Sequence, residues 1–154
     1  MLVEYLRKNA PAQSTLNRAF ALWASAKLPD ALNAEQKRST VESIFSKQQA
    51  DGGWSTSSLI PASWKRRDGT ALDSQSDGYA TGLITVVLMQ SGTSRADARL
   101  KHAIAWLGTH QDAATGLWPS TSLNKQRDPA SDAGRFMSDP ATAFAVMALA
   151  DTKQ

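Results

Sequence analysis

The sequence predicts an all-α fold, and three observations lead to that prediction. Two segments, from about 35 to 90 and from about 95 to 150, repeat the same order of features. Each has apolar residues at helical spacing, then a Gln-Gly-Trp loop, then a second stretch that is apolar almost throughout. The length of 154 residues suits one domain with a buried core. We therefore expect a single domain over residues 1–154, with about six helices in alternating outer and inner layers.

The first helix of each repeat is predicted to be amphipathic. One side follows the i, i+3, i+4, i+7 spacing of a helix, and the opposite side carries Lys, Arg and Glu. The positions on the apolar side are Val41, Ile44, Phe45 and Gln48 in the first repeat and Leu100, Ala103, Ile104 and Leu107 in the second. These helices are expected to form the outer layer, with one face in water.

The second helix of each repeat is predicted to be buried on nearly every side. The stretches 79–92 (YATGLITVVLMQSG) and 140–150 (PATAFAVMALA) leave almost no polar face. Asp77 and Asp139 are expected to be N-caps, with Pro140 at the first helical position, where its missing N–H costs nothing.

The N-terminal segment fits a third, partial copy. Residues 3–9 (VEYLRKN) correspond to the end of an outer helix, and residues 14–28 (STLNRAFALWASAKL) to an inner helix that ends before Pro29. A wholly apolar helix is stabilised only when other helices surround it, so the alternation predicts two packed layers.

The loop after each outer helix is interpreted as a structural element. Gln side chains donate to unpaired groups at a helix end, Gly allows a positive φ, and Trp supplies a large apolar surface. Ligand stacking on the two Trp rings is the alternative. The predicted repeat residues are Gln49, Gly53 and Trp54, matched by Gln111, Gly116 and Trp118.

These loops resemble the QW repeat of the squalene–hopene cyclase and protein prenyltransferase superfamily. The segment DPATAFAVMAL from Asp139 is similar to the start of an inner helix there, and the resemblance covers about residues 35–150. It implies a partial α/α toroid with about half the helices of a closed ring. The chain is therefore expected to be a fragment of a longer polypeptide, or to self-associate through its inner apolar face.

The resemblance also names two candidate acids, Asp77 and Asp139. The cyclases protonate substrate with an Asp-x-Asp-Asp-Thr-Ala motif, and each segment here keeps one Asp of it. The prenyltransferases bind zinc partly through Cys, which this chain lacks. We therefore expect no metal and no cofactor, and we favour a chain without catalytic activity of its own.

The long loops supply candidate ligand-binding residues. The segment from Lys65 to Asp68 matches that from Lys125 to Asp128. Anionic or sugar-like ligands suit these basic and aromatic side chains, and a repeated turn or salt bridge is the alternative. Thr81 belongs to a polar stripe on an apolar helix and is expected to line a cleft. The candidate ligand-binding residues are Trp54, Trp64, Arg67, Thr81, Trp118 and Arg127.

Composition limits the function further. The net charge is +3 and the one basic run is 65–67, so nucleic acid is not an expected partner. The longest apolar stretches, such as 82–89, are too short to span a membrane, and the localisation stays open. His102 and His110 are expected at the surface or as caps.

Three hypotheses remain. The first is a scaffold or binding module for a partner domain or an apolar small molecule. The second is part of an enzyme acting on a polyisoprenoid, and the third a carbohydrate-binding or lyase-type toroid.

Overall fold

The computed structural model describes residues 1–151, so the last three residues of the predicted domain lie outside the described range. This part of the chain is helical and holds no strand, which confirms the all-α class. The six α-helices are α1 (Leu2–Asn9), α2 (Thr15–Ser25), α3 (Ala34–Phe45), α4 (Gly78–Gln90), α5 (Ala98–Thr109) and α6 (Asp132–Asp151). Short 3-10 turns lie at Ala10–Ala12, Pro29–Ala31 and Thr56–Leu59.

Helix α4 lies at the centre of the core. Every residue from 80 to 88 is buried, and α4 packs against α2, α5 and α6. This helix carries Ala, Leu, Ile and Val on all sides, so burial on all sides removes the most apolar surface from water. The predicted burial of the first apolar stretch is confirmed.

Helices α3 and α5 each have one face in water. In α3 the buried residues are Thr40, Ile44 and Phe45, and in α5 they are Leu100, Ala103, Trp106 and Leu107. Helix α3 packs on α2, and α5 packs on both α4 and α6. Helix α1 has no buried residue and lies against the Pro29–Ala31 turn.

Helix α6 begins earlier than predicted. It starts at Asp132, so Pro140 lies inside the helix and Asp139 is not an N-cap. Ser131 takes the capping position, because its Oγ accepts from the Gly134 N–H at 3.1 Å. Pro140 cannot donate to the carbonyl four residues earlier. The turns before it are nevertheless fixed, because Gly134 packs so closely on the 128–129 turn that a Cβ would lie 2.3 Å from the Asp128 carbonyl oxygen.

The predicted burial of residues 140–150 on nearly every side is wrong. Ala141, Ala145 and Ala148 are buried, whereas Val146 is 52% exposed and Met147 43% exposed. Helix α6 contacts α4 and α5 on one side, and no other described helix packs extensively against it. None of the helices within residues 1–151 has the length and hydropathy needed to cross a membrane.

Candidate functional site

The two Trp-containing loops are held by the same hydrogen bonds. The Trp54 indole N–H donates to the Ile44 carbonyl at 2.8 Å, and the Trp118 indole N–H donates to the Leu107 carbonyl at 2.8 Å. Both acceptors lie in the last turn of a helix, where a carbonyl has no i+4 partner within the helix, and the Ile44 carbonyl also accepts from the Lys47 N–H at 3.0 Å. The rings are 0% and 3% exposed, so they offer no surface to a ligand. The prediction that Trp54 and Trp118 bind a ligand is therefore corrected to an internal, structural position.

Each loop is also joined to the helix that follows it, α4 for the first loop and α6 for the second. The backbone N–H of Trp54 donates to the Thr81 hydroxyl at 3.0 Å, and that of Trp118 donates to the Thr142 hydroxyl at 3.1 Å. Thr81 is 0% exposed and bonded within the core, so it does not line a cleft as predicted. The two threonines occupy equivalent places in the two repeats.

The repeat register differs by one residue from the predicted one. Gln48 Nε2 donates to the Gly52 carbonyl at 2.8 Å, as Gln111 Nε2 does to the Gly116 carbonyl at 2.8 Å. Gln49 Nε2 instead donates to the Ser74 carbonyl at 2.7 Å. Gln48, not Gln49, is the counterpart of Gln111. Two adjacent Gln residues and loops of unequal length left this choice undetermined in the sequence.

The glycine register shifts in the same way. Gly52 has φ +95° and Gly116 has φ +72°, so these two residues provide the turn that needs a left-handed backbone. Gly53 has no positive φ and is required for a different reason. A Cβ on Gly53 would lie 2.6 Å from the Ser76 Cβ. Gly52 also packs on α5, where a Cβ would lie 2.7 Å from the His102 carbonyl oxygen.

Asp77 is the N-cap of α4, as predicted, and it is only 4% exposed. Its Oδ1 accepts from the Ala80 N–H and from the Thr56 hydroxyl, both at 2.9 Å, and its Oδ2 accepts from the Thr56 N–H at 2.6 Å. Burial raises the pKa of the Asp77 carboxyl, and these donors oppose that shift. Both oxygens are committed to the cap and to the loop.

Asp139 is not equivalent to Asp77. Asp77 lies four residues before Thr81, whereas the residue four before Thr142 is Ser138, whose hydroxyl donates to the Gly134 carbonyl at 3.2 Å. Asp139 itself is an exposed residue within α6. The structure therefore does not place the two candidate acids in matching environments.

A buried arginine that the sequence reading passed over holds the two loops together. Arg66 is 5% exposed, and its Nε donates to the Ser122 carbonyl at 2.8 Å. Its other nitrogens donate to the Ala71 carbonyl and to the Asp73 carboxylate. Because the basic triplet 65–67 reads as a solvated run, only the fold distinguishes its middle member.

The predicted ligand residues Trp64 and Arg67 belong to the same junction between the loops. Trp64 is 49% exposed, and its indole N–H donates to the Leu123 carbonyl at 2.9 Å. The backbone N–H of Arg67 donates to the Asn124 carbonyl at 2.9 Å, and its side chain is exposed. Trp64 is thus partly exposed, and within residues 1–151 no ring contact joins it to a second aromatic side chain.

The repeated Arg-Asp sequence motif forms a turn in both loops. Asp68 Oδ1 accepts from the Thr70 N–H at 3.1 Å, and Asp128 Oδ1 accepts from the Ala130 N–H at 2.9 Å. These are Asx turns, in which a carboxylate bonds the backbone two residues later. Among the described residues no ion pair joins Arg67 to Asp68 or Arg127 to Asp128.

Asp51 is a second residue that the sequence reading missed. Its Oδ1 accepts from the Gly53 N–H and the Ser76 hydroxyl, both at 2.9 Å, and its Oδ2 accepts from the Trp106 indole at 3.1 Å. Partial burial acts to raise the pKa of Asp51, but these hydrogen bonds outweigh it and lower the pKa. His110 stacks on Trp106 at 4.1 Å beside this group. The carboxylate thus joins the first loop to α5.

An apolar pocket of about 290 Å³ opens between the second loop and the early turns of α6. Phe136, on its rim, is 75% exposed, which is unusual for so large an apolar side chain. The hydroxyl-bearing residues Thr56, Ser120 and Thr121 complete the wall. The apolar lining residues are Tyr79, Leu123, Phe136, Met137 and Pro140.

The chemistry that these residues support is binding of apolar surface. Within residues 1–151 no group of three or more His, Asp or Glu side chains is arranged to hold a metal ion. Comparison with family models, with curated proteins and with solved structures finds no match to this chain.

Proposed function

We propose that the chain is a non-catalytic repeat domain of the partial α/α-toroid type, resembling the squalene–hopene cyclase and protein prenyltransferase superfamily. In this proposal it serves as a scaffold or binding module, and its pocket beside Phe136 takes an apolar ligand. The observation that carries the proposal is this pocket. Concave, mostly apolar sites with a few polar groups at the edge are the usual form of small-molecule sites.

The layered arrangement is supported by the order of contacts. Helices α2, α4 and α6 alternate along the chain with α3 and α5, and α4 packs against both α2 and α6. Helices α3 and α5 each pack on this row and keep one face in water. The equivalent hydrogen bonds of Trp54 and Trp118 support a true structural repeat.

The non-catalytic part of the proposal is supported by the state of the two acids. An acid that protonates an alkene needs a carboxyl group directed at the substrate. Both oxygens of Asp77 accept hydrogen bonds from Thr56 and Ala80, and Asp139 lies in solvent. Formation of a cyclised product from an acyclic polyisoprenoid by the purified chain would overturn this part.

The ligand part is tested by titration with 1-anilinonaphthalene-8-sulfonate, followed by fluorescence, with Phe136→Ala and Met137→Ala variants. Loss of the contact made by a large apolar side chain corresponds to about 1–2 kcal/mol. We expect about five- to thirtyfold weaker binding for Phe136→Ala.

The matched control is Phe20→Ala, because Phe20 is 40% exposed on α2 and does not line the pocket. This variant should bind the dye like the wild type. Equal affinities for the Phe136→Ala and wild-type chains, or a larger loss in the Phe20 control, would reject the pocket as the binding site.

A further inference from the structure

The contact between α4 and α6 follows a regular pattern. The Tyr79 ring lies 5.8 Å from the Phe144 ring, and a Cβ on Gly82 would lie 2.9 Å from the Ala145 nitrogen. Val86 belongs to the same apolar cluster as Ala145 and Ala148. The contact positions on the two helices rise together in number, so the helices run parallel. On α4 these positions follow an i, i+3, i+7 spacing.

The repeat equivalence transfers this pattern to α6. Thr81 and Thr142 accept the same backbone hydrogen bond, at 3.0 and 3.1 Å, and therefore fix the register between the two helices. The residues of α4 that contact α6 are Tyr79, Gly82 and Val86, and each has a counterpart on α6 at the same distance in sequence from the threonine. The corresponding residues are Pro140, Ala143 and Met147.

These three positions are uncovered. Pro140 and Ala143 are exposed, and Met147 is 43% exposed. The other side of α6 also obeys the equivalence. Ala141, Ala145 and Ala148 are buried in the cluster that α6 forms with α4, α5 and Trp118. They correspond to Ala80, Ile84 and Val87, which are buried in the core cluster that includes α2. Helix α4 thus uses one face for α2 and another for α6, and α6 uses the equivalent of the first of these faces for α4.

We infer that the face formed by Pro140, Ala143 and Met147 is a docking surface for one further apolar helix. The interface between α4 and α6 is continued across α6, so the expected partner has the chemistry of α6. It is a helix parallel to α6, with small side chains at i, i+4 and i+7 like Ala141, Ala145 and Ala148. This inference rests on the scaffold part of the proposed function and names its partner class.

The expected occupant is a free apolar helix of this chemistry rather than a helix of a second folded copy of this chain. In a folded copy the matching side chains, Ala141, Ala145 and Ala148, are already buried in that copy's own core. Ridges of small residues let two helix backbones approach closely, as Gly82 does within this chain.

The probe is a fluorescently labelled synthetic peptide with the sequence of residues 132–151, titrated into the whole chain. We expect saturable binding that Ala143→Glu and Met147→Glu each weaken at least tenfold, because each places a charge in the apolar contact. Both positions are exposed, so the variants should keep the wild-type circular dichroism and thermal midpoint. Ala105→Glu, at an exposed position on α5, is the control and should bind the peptide like the wild type.

Disulfide trapping tests the register, because the chain has no cysteine of its own. Met147 is the counterpart of Val86, which lies in one cluster with Ala145. Met147→Cys should therefore form a disulfide with a peptide carrying Ala145→Cys, and not with a peptide carrying Arg135→Cys. Peptide binding that ignores both Glu variants would indicate exchange with α6 and overturn the inference. A Met147-dependent dimer of the whole chain, or no peptide binding, would also overturn it.

The two proposals fail separately. Met147 does not line the pocket beside Phe136, so Met147→Glu should leave dye binding unchanged. Peptide docking without dye binding would retain the docking surface and reject the apolar ligand. Dye binding without peptide docking would retain the apolar ligand pocket and reject the docking surface.

Discussion

The strongest quantitative prediction compares Gly52→Ala with Gly116→Ala. Both glycines sit at the same place in the repeated loop and have positive φ, +95° and +72°. They differ in their surroundings, since a Cβ on Gly52 meets the His102 carbonyl oxygen at 2.7 Å, whereas one on Gly116 meets only Gln111 Nε2 at 3.8 Å. The pair therefore separates backbone strain from the fit of the loop against α5.

The magnitudes follow from these two terms. A left-handed backbone costs a residue with a Cβ about 1–2 kcal/mol, which is the whole expected effect of Gly116→Ala. Gly52→Ala adds the shift of a helix backbone away from the new methyl group, about 1–3 kcal/mol. The expected loss in free energy of unfolding is therefore about 2–5 kcal/mol for Gly52→Ala.

The measurement is urea denaturation at 25 °C, followed by far-UV circular dichroism. The pair is informative because the two variants make the same chemical change in the same turn. If Gly52→Ala destabilises the chain no more than Gly116→Ala, the first loop does not pack on α5 as described, and the reasoning from the repeat framework fails.

Three further predictions follow from the loop contacts. Trp118→Phe keeps most of the ring but leaves the Leu107 carbonyl without its donor, which should lower the free energy of unfolding by about 1–3 kcal/mol; a loss under about 0.5 kcal/mol in urea would show that the bond is not needed. Lys cannot make all the hydrogen bonds of the buried guanidinium, so Arg66→Lys should lower the free energy of unfolding by about 1–3 kcal/mol. The exposed control Arg67→Lys should lower it by less than about 0.5 kcal/mol. Equal urea midpoints for these two variants would contradict the role of Arg66. Burial raises the folded-state pKa of Asp77, so between about pH 4 and that pKa the folded chain holds the proton more tightly than the unfolded chain, and stability falls as pH rises. Asp77→Asn should remove this decrease in stability, measured as the urea midpoint at pH values between about 3 and 8. The same dependence of the urea midpoint on pH for the variant and the wild type would refute the prediction.

Local signals predicted much of the fold. The spacing of apolar residues predicted helices over α3, α4 and α5, and Asp77 before an apolar run predicted the cap of α4. Such features depend on residues within one or two turns, so a single sequence contains them. The predicted start of α6 was wrong. Pro is favourable in the first turn of a helix and costly in its interior, so the sequence places Pro140 at a helix start. The packing of Gly134 on the 128–129 turn, which the sequence does not show, fixes the earlier start.

The candidate site was less predictable. The adjacent residues Gln48 and Gln49 are equal in the sequence, and the choice between them depends on which amide reaches the Gly52 carbonyl. Arg66 stands in a run that reads as solvated, and its burial follows from contact with a segment 56 residues away. Phe136 became a pocket residue only because α6 extends past Pro140 and places that ring beside the second loop.

The amino-acid sequence by itself determined that the chain is helical and that two Trp-containing loops each follow an amphipathic helix, because helix periodicity and turn residues act over short distances. Only the tertiary structure decided which Gln and Gly hold each loop, that Asp77 is fully bonded, and that one face of α6 is left uncovered. These outcomes depend on the distance between atoms that are far apart in the chain, and that distance is set by packing.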